Sequence, residues 1–455
     1  MVATEPSLMP LHEAARRIRT GELSPLELTE SCLRQIDRLE PEIKAWVTLD
    51  REGALRQAEV LAEDARSYRF RGVLHGIPIG IKDIYFTAGM RTTAGHQSML
   101  QFVPSYDAAV VERLKQAGAI ILGKTTTTEF ALMAPTATRN PWNLDHTPGG
   151  SSSGSGAAVA ARMCPAAIGS QTGGSTIRPA AYCGIVGFKP TYGRISTFGM
   201  IPLAPSTDHA GILARSVSDL PLILQALAGH DTRDPASATA PVGDYSREAD
   251  LEPSEPIIAL MTGGFLEKAS DEIRLNLSEV AECLANAGAR IERIPPPFSL
   301  DKLSRAFFTI LTAEAAAYHR EELINRPENF DGQTLGFLKQ GMEHSAVEYL
   351  QSLEVQRSFR REAATILRRY DAILVPSTNF TAPAGLGSTG DPIFNSPWSM
   401  TGNPVVGLPS GITRGGLPMG IQLVGAAFAE GRLLGLAKWC ERQLGFDLLP
   451  PILSA

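Results

Sequence analysis

The sequence predicts an α/β fold because short apolar runs alternate with longer stretches of helical periodicity. Residues 73–81 have the pattern of a buried strand, 107–118 that of a helix, and 119–122 that of the next strand. Alternating strands and helices are typical of a sheet covered by helices. The chain has 455 residues, 44% of them hydrophobic, which is enough for a sizeable core.

The amino-terminal part, residues 1–70, is predicted to be a helical segment of the same domain. Ser24 is a candidate helix cap, with Pro25 at the first helical position and Glu27 three residues after the cap. Apolar residues then recur at helical spacing, and a second helix is predicted over 51–66.

Further elements follow along the chain, and no internal repeat or linker separates them. Small apolar residues over 154–163 predict a helix packed closely against the sheet, and another helix is expected to begin at Ser175. Residues 256–260 and 372–375 predict strands, 300–369 are mostly helical in pattern, and the Gly-, Pro- and Ser-rich stretch 383–416 is interpreted as ordered loop. We therefore predict a single domain over 1–455.

Composition and charge narrow the class of protein. The net charge of −6 argues against an electrostatic nucleic-acid surface and suits a protein that binds a small molecule. No run approaches 18 apolar residues, and the first ten residues lack the pattern of a signal peptide. Five scattered cysteines without a CxxC pair fit a reducing compartment, and the absence of HExxH argues against zinc. A cytoplasmic protein is expected.

A lone lysine, Lys82, ends the apolar run 73–81. Lysines are mostly exposed, so a solvated strand end is one interpretation. Burial would instead disfavour the charged form and lower the pKa of the amine. A neutral amine near pH 7 could then act as a general base.

Two glycines, Gly173 and Gly174, directly precede Ser175. The backbone can turn tightly there because glycine has no Cβ, and successive N–H groups of such a turn can converge on one point. Converging donors would form an oxyanion hole, and a helix that begins at Ser175 would add its dipole. Taken alone, the same residues also fit a plain glycine turn capped by serine, and such turns are common.

The glycine–serine loop 149–156 has several interpretations. The apolar helical pattern after it argues against a flexible linker, and no GxxxxGK[ST] phosphate motif is present. A GxGxxG motif begins at Gly154 but has Val159 in place of the last glycine. Residues 150–154 match GxSxG, yet no apolar strand leads into them. The remaining interpretation is a serine relay, in which one hydroxyl bridges a lysine and a second serine.

Taken together, these motifs resemble the amidase signature family. They are GIPIGIKD (76–83), PGGSSSGSGAAVAA (148–161), GSQTGGSTIRPAAYCGIVGFKPTYGRIS (169–196), NPVVGLPSG (403–411) and GLPMGIQLVG (416–425). The nucleophile motif is most similar to the malonamidase-type branch. The resemblance implies one α/β/α domain with a central, mixed, twisted β-sheet covered by helices.

The same resemblance implies a Ser–cis-Ser–Lys triad. Ser175 would be the nucleophile, Ser151 the bridging serine after a cis peptide bond, and Lys82 the base. The oxyanion hole would be formed by the amides of Thr172, Gly173, Gly174 and Ser175. The side chains of Ser152 and Ser170 would be supporting hydrogen-bond residues. Such a site needs no metal and no organic cofactor.

Three positions depart from the family pattern. Gln171 stands where many members have aspartate, and Arg178 lies three residues after the nucleophile instead of two. In the malonamidase-type branch the matching arginine holds a substrate carboxylate, which guanidinium binds as a two-pronged fork. A structural arginine paired with an internal acid or carbonyl is the alternative. His96, where many relatives have serine, is expected to be a surface-loop residue, with a pocket residue as the alternative.

The predicted function is an amidohydrolase that cleaves the C–N bond of a small linear amide through an acyl-enzyme on Ser175; the amide could carry a carboxylate. One alternative is an amidotransferase A-type subunit that releases ammonia from glutamine for a partner enzyme, although Gln171 and Arg178 weigh against it. An aryl or acyl amide hydrolase and a non-catalytic binding protein are further alternatives. The expected partners are a small-molecule amide, no nucleic acid and no membrane, with a homodimer as one option.

Overall fold

One mixed sheet of eleven strands forms the centre of the protein. The computed structural model describes residues 5–296 and 298–454. The strands are β1 (Trp46–Leu49), β2 (Pro78–Lys82), β3 (Ile120–Thr125), β4 (Ala166–Gln171), β5 (Val186–Lys189), β6 (His209–Ala214), β7 (Ile257–Met261), β8 (Arg290–Ile294), β9 (Ala372–Pro376), β10 (Val405–Ile412) and β11 (Pro418–Val424). Their order in the sheet is β1-β3-β2-β4-β6-β5-β10-β11-β9-β7-β8.

Helices cover this sheet. They are α1 (Leu11–Thr20), α2 (Pro25–Ile43), α3 (Arg51–Arg66), α4 (Ala109–Gln116), α5 (Ser153–Ala160), α6 (Ile177–Tyr182), α7 (Leu220–Leu227), α8 (Tyr245–Ala249), α9 (Asp271–Asn286), α10 (Leu300–Tyr318), α11 (Arg320–Asn325), α12 (Gly332–Glu343), α13 (Ala346–Ile366), α14 (Ser396–Thr401) and α15 (Glu430–Leu444). The predicted α/β class is confirmed. No helix among the described residues is long and apolar enough to cross a membrane.

The strands that carry the candidate site lie side by side in the middle of the sheet. β2 pairs in parallel with both β3 and β4, and β4 pairs antiparallel with β6. All residues of β2, β3 and β4 are buried, as expected for strands covered on both faces. α5 approaches the sheet closely because its residues are small: a Cβ on Gly154 would lie 2.2 Å from the carbonyl oxygen of Ala45.

Most of the predicted elements are present, and the differences have local causes. The capping box at Ser24 and Glu27 begins α2. The strand β1 lies inside the segment predicted as helical, where three of its four residues pair with β3. The prediction of loop for 383–416 is wrong, since this stretch contains α14 and β10. Pairing of β10 with β5 is a long-range effect that local Gly and Pro content does not reveal.

Two apolar clusters lie within the fold. The larger one joins the amino-terminal helices, the central strands, α5, α7 and α15. The second packs β7, β9 and parts of β10 and β11 against α10, α13 and α14. The domain limits predicted over 1–455, and the helical segment over 1–70, stay predictions; residues 1–4, 297 and 455 lie outside the described residues.

Candidate active site

Lys82 is the last residue of β2, and its side chain is fully buried. Its Nζ lies 2.6 Å from Ser151 Oγ and 2.7 Å from Ser170 Oγ. Burial lowers the pKa of Lys82 well below its ordinary value; the charge of Asp208 opposes this effect, and the charge of Arg178 adds to it. The interpretation of Lys82 as a solvated strand end is therefore wrong, and its buried amine, with a lowered pKa, lies close to two hydroxyls.

Ser151 is placed beside Lys82 by the turn that leads into α5. The peptide bond between Gly150 and Ser151 is cis. The carbonyl oxygen of Ser151 accepts a hydrogen bond from the N–H of Thr128 (3.3 Å), which fixes the turn to the segment after β3. Ser152 Oγ accepts from the N–H of Ser170 (3.2 Å) and donates to the carbonyl of Ser170 (3.3 Å), so this turn is also tied to β4.

Ser175 is held next to this turn through its backbone. Its carbonyl oxygen accepts from the N–H of Ser152 (3.3 Å), and the residue is 7% exposed. Its hydroxyl forms no hydrogen bond with any other described residue. Hydrogen bonds between catalytic groups are often long in an enzyme without substrate and tighten when it binds. The structure thus joins Lys82 to Ser151 and leaves the hydroxyl of Ser175 free.

Four consecutive backbone amides, those of residues 172–175, donate to no other group in the described part of the protein. The next two amides differ, because the N–H groups of Thr176 and Ile177 both donate to Gln171 Oε1, at 3.1 and 3.0 Å. Gln171 thereby caps α6, which begins at Ile177 and not at Ser175. A run of free donors in a glycine turn can stabilise developing negative charge. The departure at Gln171 has a structural role.

Asp208, which the sequence analysis missed, anchors the start of this glycine turn. Thr172 Oγ1 donates to Asp208 Oδ1 (2.5 Å), while the amides of Leu203 and Ala204 donate to Asp208 Oδ2 (2.9 and 3.1 Å). The carboxyl is buried, and burial raises its pKa. A lone aspartate directly before the buried strand β6 is the signal that could have identified it.

The opposite side of the glycine turn is covered by α10, α14 and the loop before α14. Ser399 Oγ donates to the carbonyl of Gly173 (3.0 Å). A Cβ on Gly173 would lie 3.2 Å from the ring of Phe307, and one on Gly174 would lie 2.5 Å from Asn395 Oδ1. A side chain at position 174 would therefore force Asn395 to move, whereas one at position 173 would need only a small displacement of the Phe307 ring; the local sequence does not show either contact.

Arg178 is buried and faces backbone carbonyls. Its Nη2 donates to the carbonyl of Gly150 (2.6 Å), directly before Ser151, and its Nη1 donates to the carbonyl of Gly390 (2.9 Å). Burial lowers the pKa of the guanidinium. These contacts fit the structural alternative; binding of a substrate carboxylate by Arg178 stays a prediction.

A cavity of about 630 Å³ lies near the site, and its wall combines apolar and aromatic side chains with polar and charged ones. Its lining residues are Phe86, Met99, Phe130, Ile201, Tyr318, His319, Glu321, Glu322, Asn325 and Arg326. Two wall residues lie close in sequence to residues that hold the site: Phe130 comes two residues after Thr128, which bonds to Ser151, and Ile201 comes two residues before Leu203, which bonds to Asp208. Lys82, Ser151 and Ser175 are not among the lining residues, so the cavity neighbours the site without containing it.

His96 does not lie on a surface loop, and that expectation is wrong. Its side chain is fully buried, with Glu129 on one ring nitrogen and Glu322 on the other. The loop that carries His96 folds inward because the N–H and hydroxyl of Thr93 both donate to the buried carboxylate of Asp83, at 2.9 and 2.5 Å.

A glycine turn of free amides lies close to a buried lysine and two hydroxyls, and comparison with known proteins identifies the family. The chain matches the family described as Amidase over residues 27–434 and belongs to that family. It is 34% identical to the A-type subunit of the glutamyl-tRNA(Gln) amidotransferase of Syntrophus aciditrophicus (strain SB), over 98% of this chain and 99% of the relative.

Solved structures agree on the fold. One, from a study of a vestigial protein complex and the origins of an s-triazine catabolic enzyme, has a TM-score of 0.91 and 29% identity, covering 97% of this chain and 100% of its own. Another, described as an amidase, has a TM-score of 0.86 and 33% identity, covering 96% and 100%.

These relatives correct two of the predictions. The relatives named above do not support a specific tie to the malonamidase-type branch, although membership of the family is confirmed. The prediction for partners is wrong: the matched relative is by name a subunit of an enzyme for glutamyl-tRNA(Gln), whereas we expected a small-molecule amide alone, no nucleic acid, and a homodimer as an option. The alternative function, the amidotransferase subunit, fits the comparisons better than the free amidohydrolase does.

Proposed function

We propose that this protein is an amidotransferase A-type subunit that releases ammonia from glutamine for a partner enzyme. The observation that carries the proposal is the contact of the buried Lys82 Nζ with Ser151 Oγ at 2.6 Å, beside four free backbone amides. The named relative supports the choice of glutamine and of a partner enzyme. The departure at Gln171 does not oppose it, since that side chain caps α6.

In the first step, Ser175 attacks the side-chain amide carbon of glutamine. Neutral Lys82 takes the proton of Ser151 as Ser151 takes that of Ser175. The amine can donate to Ser170 Oγ while its lone pair faces Ser151, which keeps it oriented for this transfer. The tetrahedral oxyanion is stabilised by the free amides of residues 172–175.

The relay then runs in reverse. The proton passes from Lys82 through Ser151 to the leaving nitrogen, the C–N bond breaks, and ammonia departs with a glutamyl ester left on Ser175. Water attacks this ester and gives its proton to the same relay; the bond between the acyl carbon and Ser175 Oγ breaks, the relay returns the proton to Ser175 Oγ, and glutamate is released. Each step returns the amine of Lys82 to its neutral form.

The test is ammonia release from glutamine by the full chain, alone and after co-purification with partner chains from its source. We expect glutaminase activity that rises when the partners are present and that is lost in Ser175→Ala. Activity on other amides but none on glutamine, with or without partners, would contradict the proposal.

A second measurement separates the proposal from a binding protein without catalysis. A fluorophosphonate probe should label Ser175, as located by mass spectrometry, and Lys82→Ala should prevent the labelling. An unlabelled Ser175 in the folded native protein would point to a binding role.

A further inference from the structure

His96 connects two parts of the molecule that are far apart in sequence. Its Nδ1 lies 2.7 Å from Glu129 Oε1, and its Nε2 lies 3.1 Å from Glu322 Oε1. Glu129 belongs to a single 3-10 turn that follows β3, whereas Glu322 belongs to α11, more than 190 residues later. The imidazole is the direct bridge between them.

The contacts of the ring indicate its charge. Both ring nitrogens face carboxylate oxygens, and both can donate only in the imidazolium form. The ring also lies between the aromatic rings of Phe130 and Phe330, with centroids at 4.4 and 4.9 Å, which keeps water away from the contact. Burial by itself would lower the pKa of His96, but its hydrogen bonds to Glu129 and Glu322 outweigh that and raise it.

The loops at the two ends of this bridge are bonded to the candidate catalytic residues. The N–H of Ala94 donates to the carbonyl of Asp83, the residue after Lys82 (2.9 Å). The carbonyl of Ala94 in turn accepts from Phe130 (2.8 Å), two residues after the Thr128 amide that holds Ser151. A shift of the His96 loop would therefore reach both sides of the contact between Lys82 and Ser151.

The far end of the bridge is the wall of the 630 Å³ cavity. Glu322, His319 and Phe130 all line it. We propose that His96 is a positioning residue: as an imidazolium it fastens α11 to the loops bonded to Lys82 and Ser151. This contact fixes the position of the cavity wall relative to Lys82 and Ser151. The activity part of the proposal rests on the proposed function; the fastening itself does not.

Other polar groups also surround the bridge. Glu129 accepts from the N–H of Asp331, at 3.1 Å to Oε2, and Glu322 accepts from Asn329 Nδ2 (3.1 Å). His319, which packs on Phe130, has its pKa lowered to about 4 by burial and stays neutral above that pH. The hydroxyl of Ser98 bonds to Glu322 as well. Of the two histidines at the bridge, His96 has a raised pKa and His319 a lowered one.

The raised pKa of His96 sets the direction of the pH effect. Because the folded-state pKa is raised, the bridge is complete below the ordinary histidine pKa and is lost as pH rises through the folded value. A neutral ring has one N–H, so one carboxylate then faces a nitrogen lone pair. Activity should fall at alkaline pH.

Glu322→Gln is the decisive variant because it keeps the shape of the side chain and removes one of the two charges. We expect the alkaline limb of kcat/KM to move to lower pH by about 1 unit, since each nearby opposite charge shifts a pKa by roughly that much. Glu343→Gln removes the same charge from the exposed end of α12, away from the cavity wall, and should leave the limb in place. Equal shifts in both variants, or no shift in Glu322→Gln, would overturn the proposal.

An NMR titration of histidine-labelled full chain tests the fastening without any activity. The His96 signal, assigned by its loss in His96→Asn, should titrate above the ordinary histidine pKa in native protein and closer to it in Glu322→Gln. An ordinary or lower pKa in native protein would overturn the proposal. A raised pKa in a protein without glutaminase activity would leave the fastening intact and reject the proposed function alone.

Discussion

The centre of the sheet and the helical cover formed by α10–α13 are built under different constraints. Every residue of β2, β3, β4 and α5 is buried, and the neighbouring backbones nearly touch. In α13, by contrast, four of 21 residues are buried. Close packing at the centre restricts each position to few residue types, whereas the cover needs only an apolar stripe.

The largest difference between the two regions should appear when a lysine is removed from each. Lys82→Ala removes the amine that takes the proton in the proposed mechanism, and kcat should fall by about 10²–10⁴-fold, as expected for loss of a general base. Lys339→Ala on the exposed face of α12 should change kcat by less than about twofold, because that side chain makes no contact with the site.

Steady-state ammonia release measures both variants, with circular dichroism to show that each is folded. If a folded Lys82→Ala protein kept native kcat, the relay would be excluded and the centre of the sheet would have to act through some other base.

A glycine-to-alanine pair compares the packing of the two regions. In Gly154→Ala the new methyl group would lie 2.2 Å from the carbonyl of Ala45 and 2.3 Å from the N–H nitrogen of Thr126, so we expect a loss of about 1–3 kcal/mol in the free energy of unfolding. Gly336 in α12 has nothing within 4 Å of such a group. Gly336→Ala should stabilise the protein by about 0.5–1 kcal/mol, since alanine favours helix.

Urea denaturation gives both free energies. Changes of the same sign in the two variants would show that the centre can relax as freely as the cover, against the packing difference described above.

What the sequence could predict follows the same division. Lys82, the turn at Ser151 and the glycines before Ser175 are local motifs, so each was identified from a few consecutive residues. Ser399, Phe307 and Asn395 contact the same glycine turn from segments more than 130 residues away, and no local pattern indicates such pairings. The triad geometry could be expected only from the resemblance to a family.

The burial of polar side chains is the second feature that the sequence does not predict. His96 was expected at the surface because histidines in polar loops usually are, yet two carboxylates from distant segments satisfy its ring. Asp208 is likewise buried because three donors converge on it. A buried polar side chain is stable only with its partners, and sequence does not show which partners the fold supplies.

Asp208→Asn should have an intermediate effect, since it perturbs the glycine turn without removing a reacting group. An amide has one acceptor oxygen and cannot serve both Thr172 Oγ1 and the amides of Leu203 and Ala204. We expect kcat/KM to fall about tenfold, equivalent to about 1.4 kcal/mol.

The pH profile of Asp208→Asn adds a second readout. The negative charge of Asp208 raises the pKa of Lys82, and its removal should move the acid limb of activity to lower pH. Glu343→Gln, on the exposed end of α12, provides the matched control with no shift. An acid limb that did not move would mean that Asp208 is uncharged in the native protein.

The smallest expected effect is in the cover and should leave catalysis untouched. Ser345 caps α13: its Oγ accepts from the N–H of Glu348 (3.2 Å), and its own N–H donates to Glu348 Oε2 (2.8 Å). Ser345→Ala should cost about 1 kcal/mol of stability. Ser358→Ala, in the interior of the same helix, should instead gain a few tenths of a kcal/mol, since alanine is the better helix former.

Thermal unfolding separates the two signs, and unchanged kcat in both variants would show that α13 supports the fold without setting the chemistry. A drop in kcat for Ser345→Ala alone would mean that the start of α13 is coupled to Phe307 and the glycine turn, and the two regions would then no longer be independent.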